Sequence, residues 1–204
     1  MTHQMVEAKD YNYLLGNLEG FSDELLKQHF ELYKGYVKSV NEINEKIANL
    51  KEKKGNPSYS EIRSLLSFKA FPQNGVVLHE FYFSNLSSKK TQMSERLLNF
   101  INHEFKSFDN YINDLKETAK SVRSGWVVLG YDERQGKIQH SIIDLHDEHV
   151  PLLNIPLLVL DVWEHAYTLD YGINKAQYLE SFVNNIDWDM VSKRLDNICT
   201  KNIC

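Results

Sequence analysis

Residues 126–144 read WVVLGYDERQGKIQHSIID, two β-rich runs on either side of a Glu-Arg-Gln-Gly turn at 133–136. β-Branched and aromatic residues flanking a glycine-containing turn mark a β-hairpin. Upstream, the texture is different. Leu25, Leu26, His29, Leu32, Tyr33, Tyr36, Val37, Val40 and Ile43 recur at three- and four-residue steps, the stripe of a helix running to about Lys54. Ser22 suits its N-cap, and Glu24 places negative charge in the first turn. Gly55, Asn56, Pro57 and Ser58 then form a turn, and a shorter helix is expected over Ser60–Lys69. After Pro72 and Gly75, VVLHEFYFSNL (76–86) is apolar at nearly every position and fits either a strand or a deeply buried helix. Thr91–Lys120 is amphipathic and reads as one helix. Beyond the hairpin, Leu157–Leu160 reads as a buried strand ending at Asp161, with helices around Tyr178–Asn185 and Trp188–Leu195. Helices first, then a small antiparallel sheet with flanking helices, is an α+β order.

Composition excludes several classes of function. The 204 residues carry 42% hydrophobic and 25% charged side chains, ordinary globular usage. A net charge of −5 opposes binding to nucleic acid, which requires a basic face. No stretch has the apolar length of a membrane span, and MTHQMVEAKDYNYLL lacks the pattern of a secretory signal. The only cysteines, Cys199 and Cys204, fall in the last six residues, where they form an exposed tail and cannot staple a fold. A cytoplasmic location is expected.

The densest chemical signal is Asp161-Val-Trp-Glu-His165. A carboxylate ending a strand, with an imidazole four residues on, can aim two ligands at one site. Oxygen and imidazole nitrogen suit iron, manganese or zinc. Equally, Asp161 fits as a helix cap and His165 as a satisfied half-buried residue. His29 and His79 lie in apolar runs, where a histidine usually packs in the core. Together the four residues make a set of three histidines and one carboxylate.

These residues carry a resemblance to a family. DVWEHAY at 161–167, followed by DYGINKAQYLESFVNNIDW, closely resembles the C-terminal motif of the iron/manganese superoxide dismutases. Ser124-Gly125-Trp126 is similar to the family's strand opening. His79-Glu80-Phe81-Tyr82-Phe83 is similar to its H-x-F-Y-W segment, with Phe83 in place of tryptophan, and GYVKSVN at 35–41 is similar to its Y-V-x-x-x-N helix. The matches run in family order over roughly residues 10–195.

The resemblance implies an N-terminal α-helical hairpin domain at 1–90 and an α+β domain with a three-stranded antiparallel sheet at 91–204, each supplying two metal ligands. It implies one manganese or iron ion per subunit, held by His29, His79, Asp161 and His165. Tyr36 falls on the family's active-site tyrosine, and Trp126 and Trp163 on pocket-lining tryptophans. Glu164 falls on the glutamate that bonds the partner's ligand histidine, here His165, so a homodimer is implied. The implied activity is that of an antioxidant oxidoreductase: superoxide is converted to dioxygen and hydrogen peroxide in two half-reactions of a ping-pong cycle. Lys34, Lys38 and Arg123 are weak candidates for a positive approach path. The competing reading is a metal-binding or interaction protein that keeps the scaffold and has lost turnover. A zinc hydrolase fits less well, because no additional general base is identifiable.

Three departures from the family pattern matter. His29 and Tyr36 are seven residues apart where the family commonly has eight, so a regular helix without a bulge keeps both on one face. A strict eight-residue count would put Gln28 at the ligand position, which we reject. The family's outer-sphere residue, usually glutamine, comes either from a helix position, here Gly75, or from a sheet position, here His146. This chain therefore resembles the less common subgroup with histidine there, His149 being the alternative. Finally, the family's His–Tyr pair at the channel mouth is replaced by Leu32 and Thr168, with Tyr33 or Tyr167 as possible stand-ins.

Overall fold

The computed structural model describes residues 5–200. The first long helix, α1, spans Asp23–Ala48. Ser22 caps it, its Oγ accepting the Leu25 N–H at 3.1 Å, with Asp23 and Glu24 in the first turn. The helix stops short of the expected Lys54. Residues 51–55 are all exposed, so no apolar face there rewards further helix.

The two readings of 76–86 resolve into a helix. The segment is the second half of α2, a single helix over Glu61–Ser84 that absorbs the shorter helix expected at 60–69. It runs through Pro72, which forfeits one i→i−4 hydrogen bond. The antiparallel pair α1/α2 is the expected helical hairpin.

The single helix expected over Thr91–Lys120 is two helices, α3 (Glu95–Phe105) and α4 (Phe108–Ser121). Lys106 turns left-handed at φ 72°, and Ser107 opens α4 with its Oγ accepting the Asn110 N–H at 3.1 Å. A second cap restarts the helix at a new angle while both halves keep an apolar stripe.

The sheet has three antiparallel strands, β1 (Gly125–Asp132), β2 (Lys137–Asp144) and β3 (Asn154–Asp161), in the order β2-β1-β3. The hairpin turn falls at 133–136 as the sequence indicates. Asp132 Oδ1 accepts the Arg134 N–H at 2.8 Å, and Gly136 takes the left-handed φ of 63° that closes the turn. The central strand β1 is buried from Gly125 to Tyr131. Trp126 pairs with Asp161 across the β1–β3 ladder, so the carboxylate leaves the sheet beside the indole. Past β3, a short 3-10 turn at Glu164–Ala166 leads into α5 (Thr168–Tyr171), α6 (Lys175–Asn184) and α7 (Trp188–Cys199).

Buried polar groups tie the helical hairpin to the sheet. Asn85, fully buried just past α2, donates from Nδ2 to the carbonyls of Tyr82 and Val159, both at 2.9 Å. Its Oδ1 accepts from Arg194 Nη1 at 2.9 Å, and the same guanidinium donates to Leu157 O at 2.6 Å and Ser84 Oγ at 2.6 Å. Thus α2, β3 and α7 share one network of buried hydrogen bonds. Cys199, expected in an exposed tail, ends α7 partly buried against the core; Cys204 lies outside the described residues. No helix among the described residues is long and apolar enough to cross a membrane.

Candidate metal centre

Four elements converge between the helical hairpin and the sheet. His29 comes from α1, His79 from α2, Asp161 from the end of β3 and His165 from the 3-10 turn that follows. One ligand atom from each lies within 4.8 Å of all the others. Asp161 Oδ2 is 3.2 Å from His29 Nε2, 3.9 Å from His79 Nε2 and 3.3 Å from His165 Nε2. His29, His79 and Asp161 are buried, whereas the His165 side chain is 29% exposed and forms the open edge.

The chain aims these atoms by local bonds. His79 Nδ1–H donates to the carbonyl of Gly75 one helical turn earlier at 2.6 Å, which leaves Nε2 unprotonated toward the centre. Asp161 Oδ1 accepts the Trp163 N–H at 2.8 Å, which turns Oδ2 to the same point. The Nε2 atoms of His29 and His79 are buried without a hydrogen-bond partner among the described residues. Buried nitrogens are rarely left so. Three imidazoles and a carboxylate suit iron or manganese, and such an ion would satisfy these orphaned atoms.

Electrostatics agree. Burial drives the His29 and His79 rings below their ordinary pKa, so both are neutral and available as ligands. Burial alone would raise the Asp161 carboxyl, but His165 and His29 facing it hold it well below the usual carboxylate range. His29 and His79 thus face the carboxylate anion as neutral imidazoles.

On one side of the cluster lies a pocket of rings. His146 is fully buried, stacked on Phe71 at 4.3 Å between centroids, with Tyr36 at 4.8 Å, Trp163 at 5.4 Å, Trp126 at 5.8 Å and His79 at 5.9 Å. Both its ring nitrogens, like the Nε1 atoms of Trp126 and Trp163, lack a hydrogen-bond partner among the described residues. His149, the alternative, is 72% exposed and its Nδ1 lies 2.9 Å from Asp144 Oδ2. Tyr36 is half-buried, its ring 5.4 Å from His79. The unbroken α-helix from His29 to Tyr36 accommodates the seven-residue spacing without a bulge.

The comparisons with known proteins bear directly on this arrangement. Residues 93–194 match the family model for the C-terminal domain of iron/manganese superoxide dismutases. The chain is 40% identical to the superoxide dismutase [Fe] of Aquifex pyrophilus, over 88% of this chain and 86% of that protein. The chain belongs to the iron/manganese superoxide dismutase family. Within the family it is also 32% identical to the [Fe] enzyme of Methanothermobacter marburgensis, over 97% of this chain and all of that protein. A superoxide dismutase [Mn] of Mycolicibacterium smegmatis is 35% identical over 91% of this chain and 88% of that protein. Family members with either metal in their names are thus comparably similar to it.

Several expected features lie elsewhere. Lys34 and Lys38 pair with Glu31 and Glu42 on their own helix, at 2.7 and 3.8 Å. Tyr33 directs its hydroxyl to Glu80 Oε1 at 2.9 Å, and Tyr167 stacks on Tyr178 at 5.2 Å. The sequence reading overlooked Phe71, which supports the His146 ring. Its signal was its place one helical turn before Gly75 on a face that the ambiguous reading of 76–86 left undefined.

Proposed function

We propose that this protein dismutes superoxide to dioxygen and hydrogen peroxide at the cluster of His29, His79, Asp161 and His165. The observation that carries this reading is the convergence of those four ligand atoms, two of them buried and orphaned, in a chain of this family. Bound iron or manganese would supply the one-electron oxidation and reduction of the two half-reactions.

The protein supplies the rest. Three imidazoles and one carboxylate leave an open side, bounded by Tyr36, His146 and the two indoles. Tyr36 keeps its proton firmly, because burial and the Asp161 charge both raise its pKa. It serves as a hydrogen-bond donor toward the pocket. His146, pushed down to about 4 by burial, is neutral at ordinary pH and offers one N–H donor and one acceptor. Together these groups orient small anions and pass protons to the product peroxide. Trp126, Trp163 and Phe71 wall the pocket and keep bulk water from the ligands.

The same reading includes a homodimer. Glu164 is exposed beside the half-exposed His165, a placement that lets it reach His165 of a second copy and join two sites. A cytoplasmic location is part of the proposal. The direct test is superoxide dismutation by protein loaded separately with manganese and iron, with metal content measured in each. Turnover with either metal is the expected result; full loading without turnover in both refutes the activity.

A further inference from the structure

At the main chain of Asp161, two buried hydroxyls form a chain. Tyr178 on α6 donates its O–H to the main-chain carbonyl of Asp161 at 2.6 Å. The Tyr82 hydroxyl, on α2, lies 3.2 Å from the Tyr178 hydroxyl. Tyr178 has a single hydroxyl proton and a carbonyl can only accept, so Tyr82 is the donor to Tyr178. Both side chains are fully buried.

The Tyr82 end of this chain also touches another ligand. Tyr82 follows His79 by three residues on the same helix, and its ring lies 5.3 Å from His29. Phe182 stacks on Tyr82 at 5.9 Å, and Phe21 packs edge-on against Tyr178 at 6.0 Å. The rings are therefore locked, and the hydroxyls are held in register with the backbone that carries Asp161. Its carboxylate is fixed from the other side by the Trp163 N–H.

We infer that Tyr178 and Tyr82 are positioning residues that set the placement of Asp161 and tie it to the helix carrying His79. This rests on the proposed metal site. Tyr178 fixes the Asp161 main chain, and with it the distance between Oδ2 and the three imidazoles. Tyr82 acts through Tyr178, orienting its hydroxyl. Bonds that orient a ligand from outside typically change metal affinity by about 10–100-fold when removed.

The test compares wild type with Tyr178→Phe, Tyr82→Phe and the double variant, in the full chain. Three quantities are read: retention of Mn(II) against a competing chelator, the visible spectrum of the Co(II)-loaded protein, and the melting temperature with and without metal. Tyr178→Phe is expected to weaken metal binding about 10–100-fold, alter the cobalt spectrum and shrink the increase in melting temperature that metal gives. Tyr82→Phe is expected to weaken binding several-fold, and the double variant to match Tyr178→Phe. Tyr111→Phe, a buried tyrosine on α4 outside the site, serves as control and should leave all metal readouts unchanged.

Equal loss of stability with and without metal, with an unchanged cobalt spectrum, would mean ordinary packing and overturns the inference. Unchanged retention in Tyr178→Phe overturns it as well. Should Tyr178→Phe not fold, Tyr82→Phe carries the test by the same readouts. A wild-type chain that takes up no metal refutes the metal site itself; a loaded wild type with equally loaded variants refutes only the positioning role.

Discussion

The Nδ1 atom of His146 lies 2.7 Å from the place a Cβ would occupy on Gly75, and Tyr36 Cγ lies 3.1 Å from it. A histidine from just beyond the sheet fills a notch that a glycine leaves in the helix. Gly75→Ala should therefore drive the His146 ring off its stack on Phe71. Helix propensity favours alanine by about 1 kcal/mol, whereas overpacking a filled site costs about 1–3 kcal/mol. The net expectation is lower stability and lower dismutase activity. In Gly75→Ala/His146→Ala the space reopens, so the two substitutions should couple by about 1–3 kcal/mol in a double-mutant cycle followed by urea denaturation. Strict additivity would show that the two sites do not share this space.

His29 contributes a buried Nε2 that lacks a hydrogen-bond partner among the described residues and faces the Asp161 carboxylate. His29→Ala should leave purified protein with little iron or manganese while the fold, read by far-UV circular dichroism, persists. Wild-type metal content in this variant would contradict the ligand assignment on α1, including the choice of His29 over Gln28.

Much of this was legible because it is written locally. The hairpin declares itself through β-rich runs and a turn whose Asp132 and Gly136 have definite roles. The motif from Asp161 to His165 sits at the end of an apolar strand, and the seven-residue step from His29 to Tyr36 is simple helix arithmetic. What was left open or misread depends on tertiary context. The apolar run at 76–86 is buried on most sides, so its period is hidden, and Pro72 and Gly75 look like breakers although the helix continues through them. The break at Lys106 is set by a left-handed residue that no glycine announces. The Tyr178–Asp161 bond joins residues that only the fold brings together.

The metal-free protein should lose stability in mild acid. An unfolded histidine takes a proton near pH 6.5, while the buried His146 does so only at about 4. Between those values the unfolded chain binds more protons than the folded one, so stability falls as pH falls. His29 and His79 are depressed by burial in the same direction. For His146 alone the effect is roughly 2–3 kcal/mol. Chemical melts of metal-free protein at pH 7, 5.5 and 4.5 should show a steep decline in wild type and a shallower one in His146→Gln. Parallel declines would place the acid sensitivity in other groups.

Arg194 holds four acceptors at once: Asn85 Oδ1, Leu157 O, Ser84 Oγ and Phe81 O, with the guanidinium 4.5 Å from the centre of the Phe81 ring. Burial lowers its pKa to about 10, so it remains charged at neutral pH. Arg194→Ala would remove four hydrogen bonds that tie α7 to α2 and β3, although Asn85 Oδ1 and Phe81 O keep the Val159 and Asn85 N–H donors. A loss of about 2–4 kcal/mol is expected in denaturant melts. Arg194→Lys should recover part of it, since one ammonium cannot reach the planar array of acceptors. A loss below about 0.5 kcal/mol would mean that water replaces the guanidinium without penalty.

Glu164 offers the sharpest test of assembly. It is exposed in the isolated chain and adjoins His165, the one ligand whose side chain is partly open, so an interface covering both would bury the carboxylate against an imidazole of a second copy. A ligand histidine that donates its remaining N–H to a carboxylate is a better ligand and is held in one orientation. Glu164→Gln keeps the shape and removes the charge. If the bond spans two copies, the variant should dissociate at higher protein concentration than wild type in sedimentation velocity, and lose metal to a chelator faster in the same concentration range. If wild type itself sediments as a monomer throughout, Glu164 has no partner to reach. Weakened metal binding without any change in assembly would place its effect within one subunit.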